Sequence, residues 1–224
     1  MTRSTRDEIV AVAARLFSEK GFAGTTMSAI AKEAGLRQSS LYYYFNRKEQ
    51  ILQASFLLNR APLEFIRRIG VAPGSAALKL YRLVRYDTLQ LCSAIFDVNE
   101  IERLAVRQPH EFEQFWRDRQ SLHDWVEQLV RQGIDDGQFI DADPTLAALG
   151  FLSYNEGVQN WFRAQEMHRI DSDAAFTYPA YEAEEVADFL AGGALRSILV
   201  RPSELERIRV QAAKFPDDPP VEDG

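Results

Sequence analysis

Residues 15–49 run RLFSEKGFAGTTMSAIAKEAGLRQSSLYYYFNRKE. Two short segments of helical periodicity flank a glycine. In the first, Thr26 is a candidate N-cap, because its hydroxyl oxygen can accept an amide proton that the opening turn of a helix leaves unpaired. Ile30, Ala31 and Ala34 share one face, and Gly35 offers the left-handed backbone that closes a helix tightly. The second segment covers about 38–44. With Leu41 inward and about 100° per residue, Phe45 lies about 40° from it and joins the core. Ser39, Ser40, Tyr42 and Tyr43 fall on the other side, and Tyr44 is borderline. Two helices around such a turn make a helix-turn-helix, which sets a recognition helix in the DNA major groove.

The flanking sequence extends this helical pattern in both directions. Upstream, Ile9, Val12, Ala13, Leu16 and Phe17 form one apolar stripe over about 3–20. Ser4 or Thr5 can cap that helix, Asp7 and Glu8 suit its positive end, and Gly21 stops it. Downstream, a long helix is expected from about 47 to 69, kinked at Pro62. Further helices are expected over 75–94, 99–107, 111–132, 144–163 and 182–200, with a short one from Pro202-Ser203. Asp143-Pro144 supplies a cap and a first-turn proline. Residues 164–180 suit a loop, and the acidic, proline-rich end FPDDPPVEDG suits disorder. No turn signal sits between alternating strands, so the expected fold class is all-α.

Composition removes other classes. The 224 residues are 46% hydrophobic, enough for a sizeable core, and carry a net charge of −7. No apolar run reaches the roughly 18 residues of a membrane span, and the N-terminus lacks a signal-peptide pattern. One cysteine, Cys92, excludes an internal disulfide and a multi-cysteine zinc site. A cytoplasmic protein without membrane partners is expected. The acidic total disfavours nucleic acid only as an average: residues 1–48 carry +4 and the remainder −11. A small basic reader is joined to a larger acidic body.

Leu16-Phe17, Gly21-Phe22, Thr25-Thr26, Ile30-Ala31, Ala34-Gly35, Leu41-Tyr42, Phe45 and Lys48-Glu49 together resemble the DNA-binding region of the TetR (tetracycline repressor) family. The resemblance covers about a fifth of the chain; the rest is similar only in helical layout and length. It implies a helix-turn-helix DNA-binding domain over 1–48, a helical ligand-binding and dimerisation domain over 49–213, and a tail over 214–224. The implied function is a ligand-responsive transcriptional regulator. As a repressor, it would bind a palindromic operator as a homodimer and be released by a small, largely hydrophobic effector. Dimerisation is implied through the helices at about 144–163 and 182–200.

The candidate DNA contacts are Thr25, Thr26, Ser28, Arg37, Gln38, Ser39, Ser40, Tyr42, Tyr43 and Lys48. Small hydroxylic residues allow close approach to base edges, a tyrosine hydroxyl can bond a phosphate, and Gln38 could contact adenine in a bidentate way. The family pattern places Lys48 on the DNA backbone. Arg37 departs from that pattern, which has Ser or Thr as the cap there. Either Ser39 or the backbone takes over the cap, or Arg37 contacts a phosphate or base.

Beyond residue 75 the helices carry many aromatics. Such stripes are core more often than ligand contacts, but an aromatic-lined pocket with a few polar groups is the usual small-molecule site in a bundle. The candidate ligand residues are Arg82, Arg85, Tyr86, Trp116, Trp125, Phe151, Tyr154, Asn155 and Gln159, with Glu156 and Asn160 also of interest. An inward arginine would favour an anionic effector. His123 and Glu127 have a metal-compatible spacing that surface pairs share, so neither a metal nor a cofactor is expected. There is no paired Glu-x-x-His motif, phosphate loop or catalytic Cys-His context, which argues against an enzyme. The alternatives are an all-α ligand carrier or enzyme without DNA binding, and an activator or regulator controlled by a protein partner.

Overall fold

The structure is a computed structural model that describes residues 5–58, 61–94, 98–162 and 179–215. The described residues are helical, with one isolated antiparallel bridge between Phe139 and Leu199. The helices are α1 (Thr5–Gly24), α2 (Met27–Glu33), α3 (Gln38–Tyr44), α4 (Lys48–Leu58), α5 (Ala61–Val71), α6 (Ala76–Ser93), α7 (Val98–Arg107), α8 (Glu113–Asp135) and α9 (Pro144–Ser153). They continue as α10 (158–162), α11 (Ala183–Arg196) and α12 (Leu205–Ala212), the last preceded by a 3-10 turn at Pro202–Glu204.

The chain forms two compact units. One contains α1–α4, α7 and the start of α8. The other contains α5, α6, the rest of α8 and α9–α12. The first unit therefore recruits residues well beyond 48. Its core brings Ile9, Ala13, Leu16 and Phe17 of α1 together with Ile30, Leu41, Phe45 and Ile51, and with Ile101, Ala105, Phe112 and Phe115. The second unit is built around α6, a helix buried on nearly every side: Leu78, Leu80, Tyr81, Leu83, Val84, Tyr86 and Thr88 are all buried.

Several boundaries follow local chemistry. Gly21 has φ +71 and breaks the helical path of α1. Thr26 caps α2, its hydroxyl oxygen accepting from the Ala29 amide at 3.1 Å. Gly35 has φ +67, and the Leu36 amide turns back to the Ala31 carbonyl at 2.8 Å. Asp143 caps α9 through the Leu146 amide, with Pro144 in the first turn. Other expectations are corrected. The segment 47–69 is two helices, α4 and α5, lying in different units, and the proline is in the first turn of α5, where no amide hydrogen is needed. The helix expected over 144–163 is interrupted by a turn at 154–157. The loop expected over 164–178 and the tail from 216 fall outside the described residues.

Candidate nucleic-acid interface and effector cavity

In the first unit, burial of Leu41 and Phe45 fixes the rotation of α3. Each fully buried side chain of this size contributes roughly 1.5–3 kcal/mol of apolar burial. The opposite face is thereby turned outward: Gln38, Ser39, Tyr42 and Tyr43 are exposed and Ser40 is half-buried. Tyr43 is 85% exposed, and its ring meets that of Tyr44 edge-on at 5.1 Å. Arg37 is the N-cap of α3 without a side-chain hydrogen bond. Its carbonyl oxygen instead accepts from the amides of Ser40 and Leu41, so the backbone alone opens the helix and the exposed guanidinium is left outside the cap. Thr26 and Ser28, at the start of α2, are exposed too.

Two of the expected DNA contacts are engaged within the fold. Thr25 is 1% exposed, and its hydroxyl shares its proton between the carbonyl oxygens of Leu16 (3.1 Å) and Gly21 (2.9 Å). It fastens the end of α1 and faces no solvent. Lys48 directs its ammonium to the turn between α1 and α2, donating to the carbonyls of Phe22 (2.6 Å), Thr25 (3.0 Å) and Ala23 (3.5 Å). The same ammonium lies over the Phe22 ring, 4.4 Å from its centroid. These three acceptors match the three protons of an ammonium. Lys48 thus clamps the turn from the first residue of α4. Arg15 bridges Glu33, tying α2 to α1 on the surface.

In the second unit, α6, α8 and α9 enclose a small cavity of about 10 Å³, room for about one water. Leu80, Leu83, Val84 and Asp87 line it from α6, Leu122 from α8, Phe151 and Leu152 from α9, and Asn155 from the following turn. Asn155 is 3% exposed; its amide nitrogen donates to the Asp87 carboxylate at 3.1 Å and to the Thr88 hydroxyl at 3.2 Å. The Thr88 hydroxyl in turn donates to the Val84 carbonyl at 2.7 Å. Asp87 keeps some exposure as a residue, but its carboxyl is crowded by protein atoms. That desolvation raises its pKa above the ordinary carboxylate value, against smaller lowering effects from Asn155 and Arg119.

The cavity gathers only Phe151 and Asn155 of the expected ligand residues. Arg82 is 8% exposed, lying over the rings of Phe65 (5.6 Å) and Phe215 (4.5 Å). Arg85 pairs with Asp188 at 2.7 Å, beside the Tyr81 hydroxyl. Tyr86 stacks on Phe65 with parallel rings 4.0 Å apart. Trp116 belongs to the first unit, where its indole donates to the Ala105 carbonyl at 3.3 Å. Trp125 packs against the core, and Gln159 is buried in α10. Tyr154 is half-exposed and lines a different, open hollow of about 230 Å³ with Ile140, Ala147 and Ile198.

Asp87 was missed, although its signal is in the sequence. Leu80, Leu83, Val84 and Asp87 occupy i, i+3, i+4 and i+7, an apolar stripe with a carboxylate at its fourth place. Cys92 is half-buried, and burial with the nearby Glu184 charge pushes its thiol up to about 12, so it is not a reactive thiolate.

Comparison with known proteins agrees with this layout. Residues 9–55 match the family described as bacterial regulatory proteins, tetR family. Residues 98–165 match the tetracyclin repressor-like C-terminal domain. The chain belongs to the tetR family. That family is one of regulatory proteins, not enzymes.

Among relatives of this tetR-family protein is the biofilm operon icaADBC HTH-type negative transcriptional regulator IcaR of Staphylococcus epidermidis, 44% identical over 50 residues. The IcaR of Staphylococcus aureus strain Newman is 46% identical over the same length. The match takes in 22% of this chain and 27% of each relative, so the chain spans only about a quarter of the length of these curated relatives. Similarity over the whole chain comes from solved structures. Mycobacterium smegmatis AmtR is 27% identical with a TM-score of 0.66, covering 97% of both chains. AibR, solved with isovaleryl coenzyme A and operator DNA, has a TM-score of 0.62 at 21% identity, covering 85% of this chain and 97% of its own, a likeness of fold. No helix among the described residues is long and apolar enough to cross a membrane.

Proposed function

We propose that this tetR-family protein is a ligand-responsive, DNA-binding transcriptional regulator acting as a homodimeric repressor. The observation that carries the reading is the outward face of α3. A helix anchored by Leu41 and Phe45 presents Gln38, Ser39, Tyr42 and Tyr43 to solvent, beside Thr26 and Ser28 of α2. Gln38 and the serines suit base edges; Arg37, Tyr42, Tyr43, Thr26 and Ser28 suit phosphates. Thr25 and Lys48 serve by fixing the α1–α2 turn that carries Thr26.

The dimer reading rests on exposed apolar residues of the second unit. Leu146 and Leu149 on α9, Phe189 on α11, and Tyr154 and Val200 close behind them are all exposed. A two-fold pair formed through such a face fits a palindromic operator. The effector reading rests on the α6–α8–α9 cavity. An effector with different affinity for the DNA-competent and other states shifts the population between them.

The deciding experiment is a mobility-shift assay of the full chain against a library of genomic fragments. A palindromic fragment should be retarded, with steep loss of affinity as salt rises. Unchanged mobility of every fragment would leave the ligand-carrier reading in its place.

A further inference from the structure

The lining of the α6–α8–α9 cavity is chemically one-sided. Of the described residues around it, Asp87 alone carries a charge; Leu80, Leu83, Val84, Leu122 and Phe151 give the apolar wall. The nearby cations are held elsewhere. Arg119 binds Glu156 at 3.1 Å, Arg85 binds Asp188, and Arg82 lies between two aromatic rings. Asp87 itself accepts from Asn155, an uncharged donor, and makes no ion pair with a described residue. The Asn155 amide protons are both used, on Asp87 and Thr88, so the remaining capacity of the carboxylate has no donor in the cavity wall.

An anionic effector would meet a carboxylate here, since Arg119 acts on Asp87 only at range while its guanidinium is bound to Glu156. A neutral apolar effector would leave the carboxylate desolvated and short of donors, at a cost. A protonated amine supplies what is missing: a positive charge and N–H donors for the carboxylate, with a hydrocarbon body for the leucines. The present volume of about 10 Å³ matches the head group and not the body, so binding must part the apolar wall.

We infer that the effector of this protein is a protonated lipophilic amine whose ammonium group pairs with Asp87 in the α6–α8–α9 cavity. This rests on the reading of that cavity as the effector site. The mechanism follows from the closed volume. The amine holds an expanded arrangement of α6, α8 and α9 that the ligand-free protein does not favour, and so biases the population between the two.

The test uses three probes of one shape and different charge: hexylammonium, 1-hexanol and hexanoate, titrated calorimetrically into the full-length protein. Hexylammonium should bind at least about tenfold tighter than either of the others, as a desolvated charge pair allows. Asp87→Asn should bring hexylammonium down to the level of hexanol without weakening hexanol, which no longer strands a carboxylate. Asp87→Glu, which keeps the charge, should retain the preference and guards against a fold effect of the amide. Equal or tighter binding of hexanoate or hexanol overturns the amine inference. The cavity reading survives that result only if Leu152→Trp, which fills the wall, abolishes the binding. Binding that Leu152→Trp leaves intact, or no binding by any probe, overturns both.

Discussion

The ammonium of Lys48 lies 2.6 Å from the carbonyl oxygen of Phe22. The contact joins the first residue of α4 to the turn that leads into α2. In the function proposed above, Lys48 acts on DNA through the turn it holds. Lys48→Met should lower stability by about 1–2 kcal/mol, the modest end for hydrogen bonds to a charged group that is only half-buried. It should weaken every operator alike and leave the slope of log affinity against log salt unchanged. A phosphate contact would instead take about 0.9 from that slope. Urea denaturation and salt-dependent binding measure the two effects.

Gln38 and Tyr42 should separate in kind. Gln38→Ala is expected to relax selectivity at one base position, at a cost of about 1–3 kcal/mol for the preferred base. Tyr42→Phe removes a phosphate donor and should weaken all sequences by a similar, smaller factor. A binding assay on a randomised half-site reads both.

Phe189 is 76% exposed on α11 and Leu146 is 68% exposed on α9, so neither holds the protomer core together. Phe189→Glu should raise the dimer dissociation constant by roughly a hundredfold, the scale of a buried aromatic anchor. Helix content should be retained. Sedimentation equilibrium together with circular dichroism tests this, and operator binding should fall with the dimer.

Asp87 gives stability a pH dependence with a definite sign. Its folded pKa is raised, chiefly by desolvation, above the unfolded carboxylate value of about 3.9. Its contribution is therefore fully present below that unfolded value, where the acid is neutral in both states. It is lost as pH rises through the folded pKa, because the buried group must then ionise. Asp87→Asn should unfold at higher urea than the parent at about pH 8, with the difference closing toward about pH 4. The Asn155 and Arg119 groups facing Asp87 oppose the shift without reversing it.

The helix-turn-helix was largely legible in the chain because its signals are local. Thr26 and Gly35 act on amides and carbonyls within a few residues, and Leu41 and Phe45 set a rotation that also fixes what α3 shows to solvent. Lys48 and Thr25 were less legible. Their exposure depends on carbonyls of the turn at 21–25, which no helical wheel of their own segment contains.

The candidate effector cavity was the least legible part. On α6 almost every side is buried, so inward orientation does not distinguish Arg82, Tyr86 and Asp87. Their roles are set by partners remote in sequence: Phe215 beside Arg82, Asp188 beside Arg85, and Asn155 beside Asp87. The sequence by itself determined most of the helices, the caps at Thr26 and Asp143 and the outward face of α3, since those depend on periodicity and short-range hydrogen bonding. Only the tertiary structure decided that the charge in the cavity wall is a carboxylate rather than a guanidinium, because partners remote in sequence hold Arg85 and Arg119 outside the lining that contains Asp87.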